Sequence, residues 1–174
     1  NMICMFEGAK SFNGNISNWD VSNVTIMFRM FADAKNFNGD ISRWNVNNVI
    51  DMHCMFDGAI NFNSNISNWD VKNVTTMAGM FQKALNFNSD ISRWNVSNVT
   101  NISIMFQQAH QFNRDISKWN ISKVKKMVDM FKDARNFNIG INTVLWNRQL
   151  GVPYYRKKFN KYLFDKLKKG VFIF

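Results

Sequence analysis

Charged and amide side chains recur along this chain at one constant spacing. Some repeats pair a carboxylate with a cation three residues later, as in Asp40 with Arg43, whereas intervening repeats carry amides at both positions. Such groups form hydrogen bonds and ion pairs with a partner. We therefore predict a partner-binding strip made of Asp40, Arg43, Asn68, Asp90, Arg93, Asp115 and Lys118.

The same alternation has a second explanation. Equivalent residues of stacked repeats would lie about 4.8 Å apart, where a column of identical charges repels itself. Alternating charged and neutral residues avoids that repulsion, and local Asp–Arg pairs would keep the surface soluble. The sequence leaves both explanations open.

The other reactive side chains form no recognisable catalytic motif. His53 and His110 occupy unrelated repeat positions, and the chain contains no C-x-x-C, H-E-x-x-H, glycine-rich phosphate loop or G-x-S-x-G motif. A zinc site needs three or four convergent ligands, which this spacing does not supply. We predict a protein that is not an enzyme and uses no cofactor or metal ion.

The two cysteines, Cys4 and Cys54, share one repeat position and stand two repeats apart. Two steps of about 4.8 Å separate their Cα atoms by roughly 10 Å, which exceeds the reach of a disulfide. Both are predicted to be free thiols.

Basic residues collect toward the C-terminus. Residues 1–113 carry 7 basic and 8 acidic side chains, 114–139 carry 7 and 3, and 140–174 carry 8 and 1. We predict that the tail docks on an acidic protein or an anionic surface. Nucleic acid is a weaker possibility, because nothing resembles a base-reading motif. The candidate docking residues are Arg156, Lys157, Lys158, Lys161, Lys166, Lys168 and Lys169.

The tail has a structural explanation as well. After Pro153 its apolar residues share one face of a predicted amphipathic helix, which would end at Gly170. A solenoid must cover its last apolar coil, so this helix would serve as a cap. Capping and docking are compatible.

The elements that position these residues follow from the repeat. The step between repeats is constant at Phe12, Phe37, Phe62, Phe87, Phe112 and Phe137, which is typical of stacked supersecondary units. In one repeat, apolar residues at steps of three and four from Val24 to Phe37 predict a short helix. A short parallel strand is predicted near Ile41, after the turn residues Asn38 and Gly39.

The predicted fold is thus an α/β repeat solenoid with one helix and one strand per coil. Residues 1–141 would form five full coils and partial ones, and residues 142–174 the basic cap. Stacking would align the Phe and Trp positions into aromatic columns, and the column from Asn13 to Asn138 would hydrogen-bond to backbone at each turn.

The repeated pattern M-F-x-x-A-x-x-F-N-x-D-I-S-x-W-(D/N)-V-S-N-V-T-x-M resembles the BspA-like leucine-rich repeat family, in the 25-residue variant of mycoplasma surface lipoproteins and large DNA viruses. The resemblance covers residues 1 to about 141 and implies a right-handed solenoid with a parallel sheet on one face. Members are mostly assigned to surface adhesion and protein binding, and the resemblance brings no catalytic residues.

Two functions follow as hypotheses. The first is a non-enzymatic protein-interaction scaffold of the surface or adhesion type that binds a protein or a glycan. The second is a structural component of a larger assembly, such as a large DNA virus particle, docked through its basic end. Both favour the cell surface or a virus particle. No apolar run is long enough to span a bilayer, and because Asn1 falls partway through a repeat we expect sequence upstream.

Overall fold

Stacked coils of equal length make up the protein, which we describe from a computed structural model covering residues 1–142 and 145–146. We number the coils from residue 1, so that coil 2 spans 26–50 and coil 3 spans 51–75. Four isolated parallel β-bridges fix the register between coils: Ile26 with Asp51, Asp51 with Thr76, Thr76 with Asn101, and Asn101 with Lys126. Each residue therefore lies beside its equivalent in the next coil.

The predicted helix in each coil is wrong. In coil 2 the amide of Met30 donates to the carbonyl of Met27 and the amide of Ala34 to that of Phe31, which are bonds across three residues, not four. These are consecutive turns. Turns of this kind also bring residues at steps of three and four to one side, so they reproduce the helical spacing.

Every second backbone amide in this segment bonds to the next coil, which explains why no helix forms there. Those of Met27, Arg29 and Phe31 donate to carbonyls of the following coil at 2.9, 3.0 and 2.9 Å, and an α-helix would need the same amides internally. Arg29 and Asp33 also have φ angles of 53° and 56°, in the left-handed region that a right-handed helix does not contain. Among the described residues the helix is α1, Ile139–Asn142.

The predicted strand near Ile41 is wrong too. The amide of Trp44 donates to the Ile41 carbonyl at 3.2 Å, which closes a turn. That carbonyl also accepts the indole Nε1 of Trp69 in the next coil at 3.1 Å. The residues with strand-like pairing are the bridge positions, such as Ile26, on a different part of the coil.

Aromatic columns fill the interior, as predicted. In coil 2 the rings of Phe31 and Phe37 stack with centroids 4.0 Å apart, and Phe31 stacks on Phe56 of the next coil at 5.6 Å. Both Phe31 and Phe37 are fully buried. Burying a side chain of this size contributes about 1.5–3 kcal/mol, so every coil stabilises its neighbours.

The Asn column is also confirmed. The side-chain oxygen of Asn38 accepts the backbone amide of Asn63 at 2.8 Å, and that of Asn63 accepts the amide of Asn88 at 2.8 Å. The bonds continue in both directions, from Asn13 to Asn138. This column ties each coil to the next at its corner.

Trp146 continues the Trp column although the repeat places that residue at 144. Its indole donates to the Ile116 carbonyl at 3.0 Å, as Trp44, Trp69, Trp94 and Trp119 do to theirs, and it is fully buried. Two additional residues are accommodated where α1 lies. The predicted capping helix falls outside the described residues, so the predicted division at 141/142 stays a prediction.

Candidate functional site

The predicted partner-binding strip lies on an exposed corner of the stack. Its members Arg43, Asn68, Arg93 and Lys118 follow one another on successive coils, and all are exposed. No ion pair within 4 Å joins Asp40 to Arg43 in the described part of the chain, so the expected local pairing is absent there.

The acidic members of this strip have a local structural role. The carboxylates of Asp40, Asp90 and Asp115 each accept the backbone amide of the serine two residues later at 2.9 Å. For Asp40 and Asp90 this bond holds the carboxyl pKa below its ordinary value. Amides at the same position do the same, as Asn65 does for Ser67 at 3.0 Å, so the alternation of Asp and Asn preserves one turn.

A different surface carries more variation, and we call it the outer ribbon. It comprises residues 26, 28, 29, 32 and 33 and their equivalents in the other coils, on the segment whose amides bind the next coil. Where the residue is small, as at Ala32, Cys54 and Ala78, the position is buried. The position of Phe28 holds six different residues in six coils, whereas the position of Phe31 always holds Phe. The variable set is Ile3, Phe28, His53, Ala78, Ser103 and Val128.

Sequence reasoning missed this surface, although the signal was present. The strip was predicted from columns whose polar residues alternate between repeats, whereas the column of Phe28, which differs in every repeat, was not used. Only the backbone hydrogen bonds show that the variable positions share one face while Met27, Met30 and Phe31 point into the core.

An ion-paired cluster occupies the first three coils of the outer ribbon. The Arg29 guanidinium contacts the Glu7 carboxylate at 2.6 Å and reaches Asp57 at 3.9 Å. The bond from Arg29 lowers the pKa of Glu7, whereas burial raises the pKa of Asp57. One carboxylate oxygen of Asp57, Oδ1, is buried without a hydrogen-bond partner. The cluster thus has one satisfied carboxylate and one under-satisfied carboxylate.

Neighbouring side chains on the ribbon also contact each other between coils. The rings of Phe28 and His53 lie 5.2 Å apart, and Gln82 Nε2 donates to Gln107 Oε1 at 2.6 Å. These contacts hold side chains of different chemistry in a fixed order along the stack.

Two overlapping segments of the chain, residues 1–76 and 59–161, match the family described as "Mycoplasma protein of unknown function, DUF285". The chain belongs to this family. The two matches agree with the internal repeat, and the finer assignment to BspA-like leucine-rich repeats stays a prediction. No curated protein and no solved structure matches the chain.

Both cysteines of this DUF285 chain are free thiols, as predicted. Burial raises the pKa of Cys54 to about 11, and a hydrogen bond with Glu7 raises the pKa of Cys4. Since the thiolate is the nucleophile and metal ligand, neither thiol is activated near neutral pH. Within residues 1–142 and 145–146, no group of three or more His, Cys, Asp or Glu side chains could hold a metal ion.

The remaining predictions for this DUF285 chain concern its C-terminus and membranes. The candidate docking residues from Arg156 to Lys169 lie outside the described residues. In the described part, no helix has the length and apolar character needed to cross a bilayer.

Proposed function

We propose that this protein is a non-enzymatic interaction scaffold of the surface or adhesion type, and that it binds a protein partner through the outer ribbon. The observation that carries the proposal is the contrast between constant and variable positions. The coils share one backbone and one core, while the ribbon side chains change from coil to coil. A surface that varies on a fixed frame is suited to recognition.

The composition of the ribbon supports a protein as the partner. It combines an aromatic pair, Phe28 with His53, an amide pair, Gln82 with Gln107, and the charged cluster around Arg29. Aromatic residues and arginine are enriched where proteins bind each other. Six coils at about 4.8 Å per step make a ribbon roughly 24 Å long from first to last.

The predicted strip supplies the competing site, and two triple variants separate them. Phe28→Ala, His53→Ala and Gln82→Ala alter the ribbon, while Arg43→Ser, Arg93→Ser and Lys118→Ser alter the strip. Each protein is first checked for an unchanged urea midpoint. Affinity is then measured for the partner found by lysine cross-linking and mass spectrometry in the native source.

The ribbon variant is expected to lose at least tenfold in affinity, because interface energy concentrates in a few aromatic and charged side chains. The strip variant should stay within about twofold. The opposite result would assign binding to the predicted strip. If the partner found were a glycan, the proposed protein partner would be wrong. The role in a larger assembly stays a prediction.

A further inference from the structure

One turn near the C-terminal end of the described residues, 114–138, carries half of the basic side chains found before residue 140. It holds seven basic and three acidic residues, a net charge of +4, whereas residues 1–113 hold seven and eight. The exposed members without an ion pair form what we call the basic rim. They are Arg114, Lys118, Lys123, Lys125, Lys126 and Arg135.

The basic rim surrounds the coil instead of following one face. Lys126 belongs to the outer ribbon, Lys118 to the corner of the predicted strip, and Arg114 lies beside the Asn column. A surface that binds a linear polymer would carry its charges in one column, on successive coils. Here a single turn, which runs from coil 5 into coil 6, carries them at many columns and so produces a ring of positive charge around the stack axis.

Hydrogen bonds position part of the rim. Arg114 Nε donates to the Asn88 carbonyl at 2.6 Å, and Lys123 Nζ donates to Asn98 Oδ1 at 2.8 Å. Lys132, the seventh basic residue, is 4.0 Å from Asp129 and is partly neutralised. The other rim cations extend into solvent.

Exposed apolar side chains lie at the same end of the stack. Val128 is 59% exposed between Lys126 and Lys132, and Leu145 is 39% exposed. Apolar groups among lysines and arginines are suited to the boundary between lipid headgroups and acyl chains. A nucleic-acid strand would instead be met by exposed aromatic rings among the cations, and the exposed large apolar side chains of the described residues place no aromatic ring in this turn.

We propose that the basic rim docks the end of the stack on an anionic phospholipid surface, with the stack axis upright and Val128 at the headgroup level. The ring geometry fits a flat charged plane, because the cations are spread around one turn. Long Lys and Arg side chains can extend past α1 and Trp146, which stack on part of that turn. Each Lys or Arg near an anionic membrane contributes about 1 kcal/mol, roughly a fivefold change in binding. Docking at this end uses the ribbon residues Lys126 and Val128 and leaves the outer ribbon of the preceding coils accessible from the side.

The first test compares two full-length triple variants by co-sedimentation with phosphatidylcholine vesicles that contain phosphatidylserine. Lys125→Thr, Lys126→Thr and Arg135→Gln remove rim charge at positions where other coils carry uncharged residues such as Thr100, Thr76 and Leu85. Lys10→Gln, Lys35→Gln and Lys83→Gln remove the same charge from exposed positions in earlier coils.

The rim variant should lose about a hundredfold in vesicle binding, following three fivefold steps, and the control about twofold or less. Binding by the parent protein should disappear in pure phosphatidylcholine and at 1 M salt, where the Debye length is about 3 Å. Equal losses in both variants, or tighter binding to single-stranded RNA than to the vesicles, would overturn the proposal.

A third variant, Lys157→Gln, Lys161→Gln and Lys168→Gln, separates the rim from the tail. Loss of vesicle binding in this variant while the rim variant binds normally would assign docking to the tail and reject the rim.

The second test measures orientation with an environment-sensitive thiol dye. One sample carries the dye on native Cys4, and the other on Val128→Cys in a Cys4→Ser chain; the buried Cys54 thiol, with its pKa of about 11, stays unlabelled. The two positions are five coils apart, roughly 24 Å. The dye at 128 should be quenched by quencher lipids and the dye at Cys4 should not. Equal quenching would mean that the stack lies flat, contrary to the proposal.

Discussion

Trp146 stacks on Trp119 with ring centroids 6.5 Å apart, although two more residues separate this pair than separate the other neighbouring Trp residues. The indole of Trp146 also donates to Ile116, 30 positions back, where those of Trp44, Trp69, Trp94 and Trp119 reach 28 positions back. The core column is therefore maintained through a change of sequence register. Interior packing, and not residue count, decides where the last Trp lies.

Replacing Trp146 by alanine should lower the free energy of unfolding by about 3–5 kcal/mol, because a fully buried aromatic side chain leaves a cavity. Urea unfolding followed by circular dichroism measures the change. Trp19→Ala is the matched control, since Trp19 is 38% exposed, and its loss should be clearly smaller. Equal losses would show that Trp146 contributes no more than an exposed Trp.

The Asn column can be tested at its centre. Asn63→Ala removes the acceptor for the Asn88 amide and should cost about 1 kcal/mol, the net value of an ordinary hydrogen bond. Asn63→Asp keeps an acceptor oxygen and should stay closer to the parent protein. Asn61→Ala is the control, because Asn61 donates to another side chain at 3.3 Å and accepts from Asn86, with no backbone amide involved. A shift in urea midpoint as large for Asn61→Ala as for Asn63→Ala would contradict a special role for the column.

How far the sequence predicts this fold is clear from individual residues. The period, the aromatic columns, the Asn column and the free thiols all depend on residue type at a fixed step, which the sequence states directly. The spacing of Val24, Met27 and Phe31 fits both a helix and a series of turns, so it predicted the wrong element. Gly58 and Gly79 indicate the two positions of the coil that have a positive φ. In coil 2 the same positions hold Asp33 and Arg29, so residue type alone does not reveal them.

The candidate site shows a similar limit. The alternation of polar residues between repeats drew attention to Asp40 and Arg43, whereas the column that differs in every repeat holds Phe28 and His53. The direction of these side chains depends on which amides bind the next coil, and residue types do not reveal that. The predicted strip and tail residues stay predictions.

Asp57 should make stability depend on pH. Burial raises its folded pKa above the ordinary value of 3.8, so the folded state binds more protons than the unfolded state between these two values. Protonated Asp57 therefore stabilises the folded state at low pH. This contribution is lost as the pH rises from 3.8 through the folded pKa of Asp57. Asp57→Asn removes this loss and should stabilise the protein at pH 7 by about 1 kcal/mol, since a partly buried carboxylate with one oxygen lacking a hydrogen bond is replaced by a neutral amide.

Thermal unfolding at pH 3 and pH 7 tests this expectation. The variant and the parent protein should unfold at similar temperatures at pH 3 and differ at pH 7. Asp20→Asn is the control, because hydrogen bonds from Ser22 lower the pKa of Asp20, which gives the opposite pH dependence. A less stable Asp57→Asn protein at pH 7 would mean that the attraction of Arg29 outweighs the cost of burial.

Gly79 and Cys54 should be energetically coupled. A Cβ at Gly79 would lie 2.8 Å from the Cys54 sulfur, so Gly79→Ala should destabilise the fold by about 1–3 kcal/mol through overpacking. Cys54→Ala vacates the space, and the double variant should recover at least half of the Gly79→Ala loss. A double-mutant cycle on urea midpoints measures the coupling, and additive losses would assign the cost to the backbone conformation of Gly79.

The paired coils also have a genetic consequence. Residues 15–21 and 65–71 have the same sequence, and residues 40–46 and 90–96 likewise match each other. Exchange between matching coding segments would remove or add two whole coils in frame. The bridges, the Phe columns and the Asn column join each residue to its equivalent in the neighbouring coil, so the rejoined chain would meet the same partners. The number of coils can therefore change in steps of two while the contacts between neighbouring coils are kept.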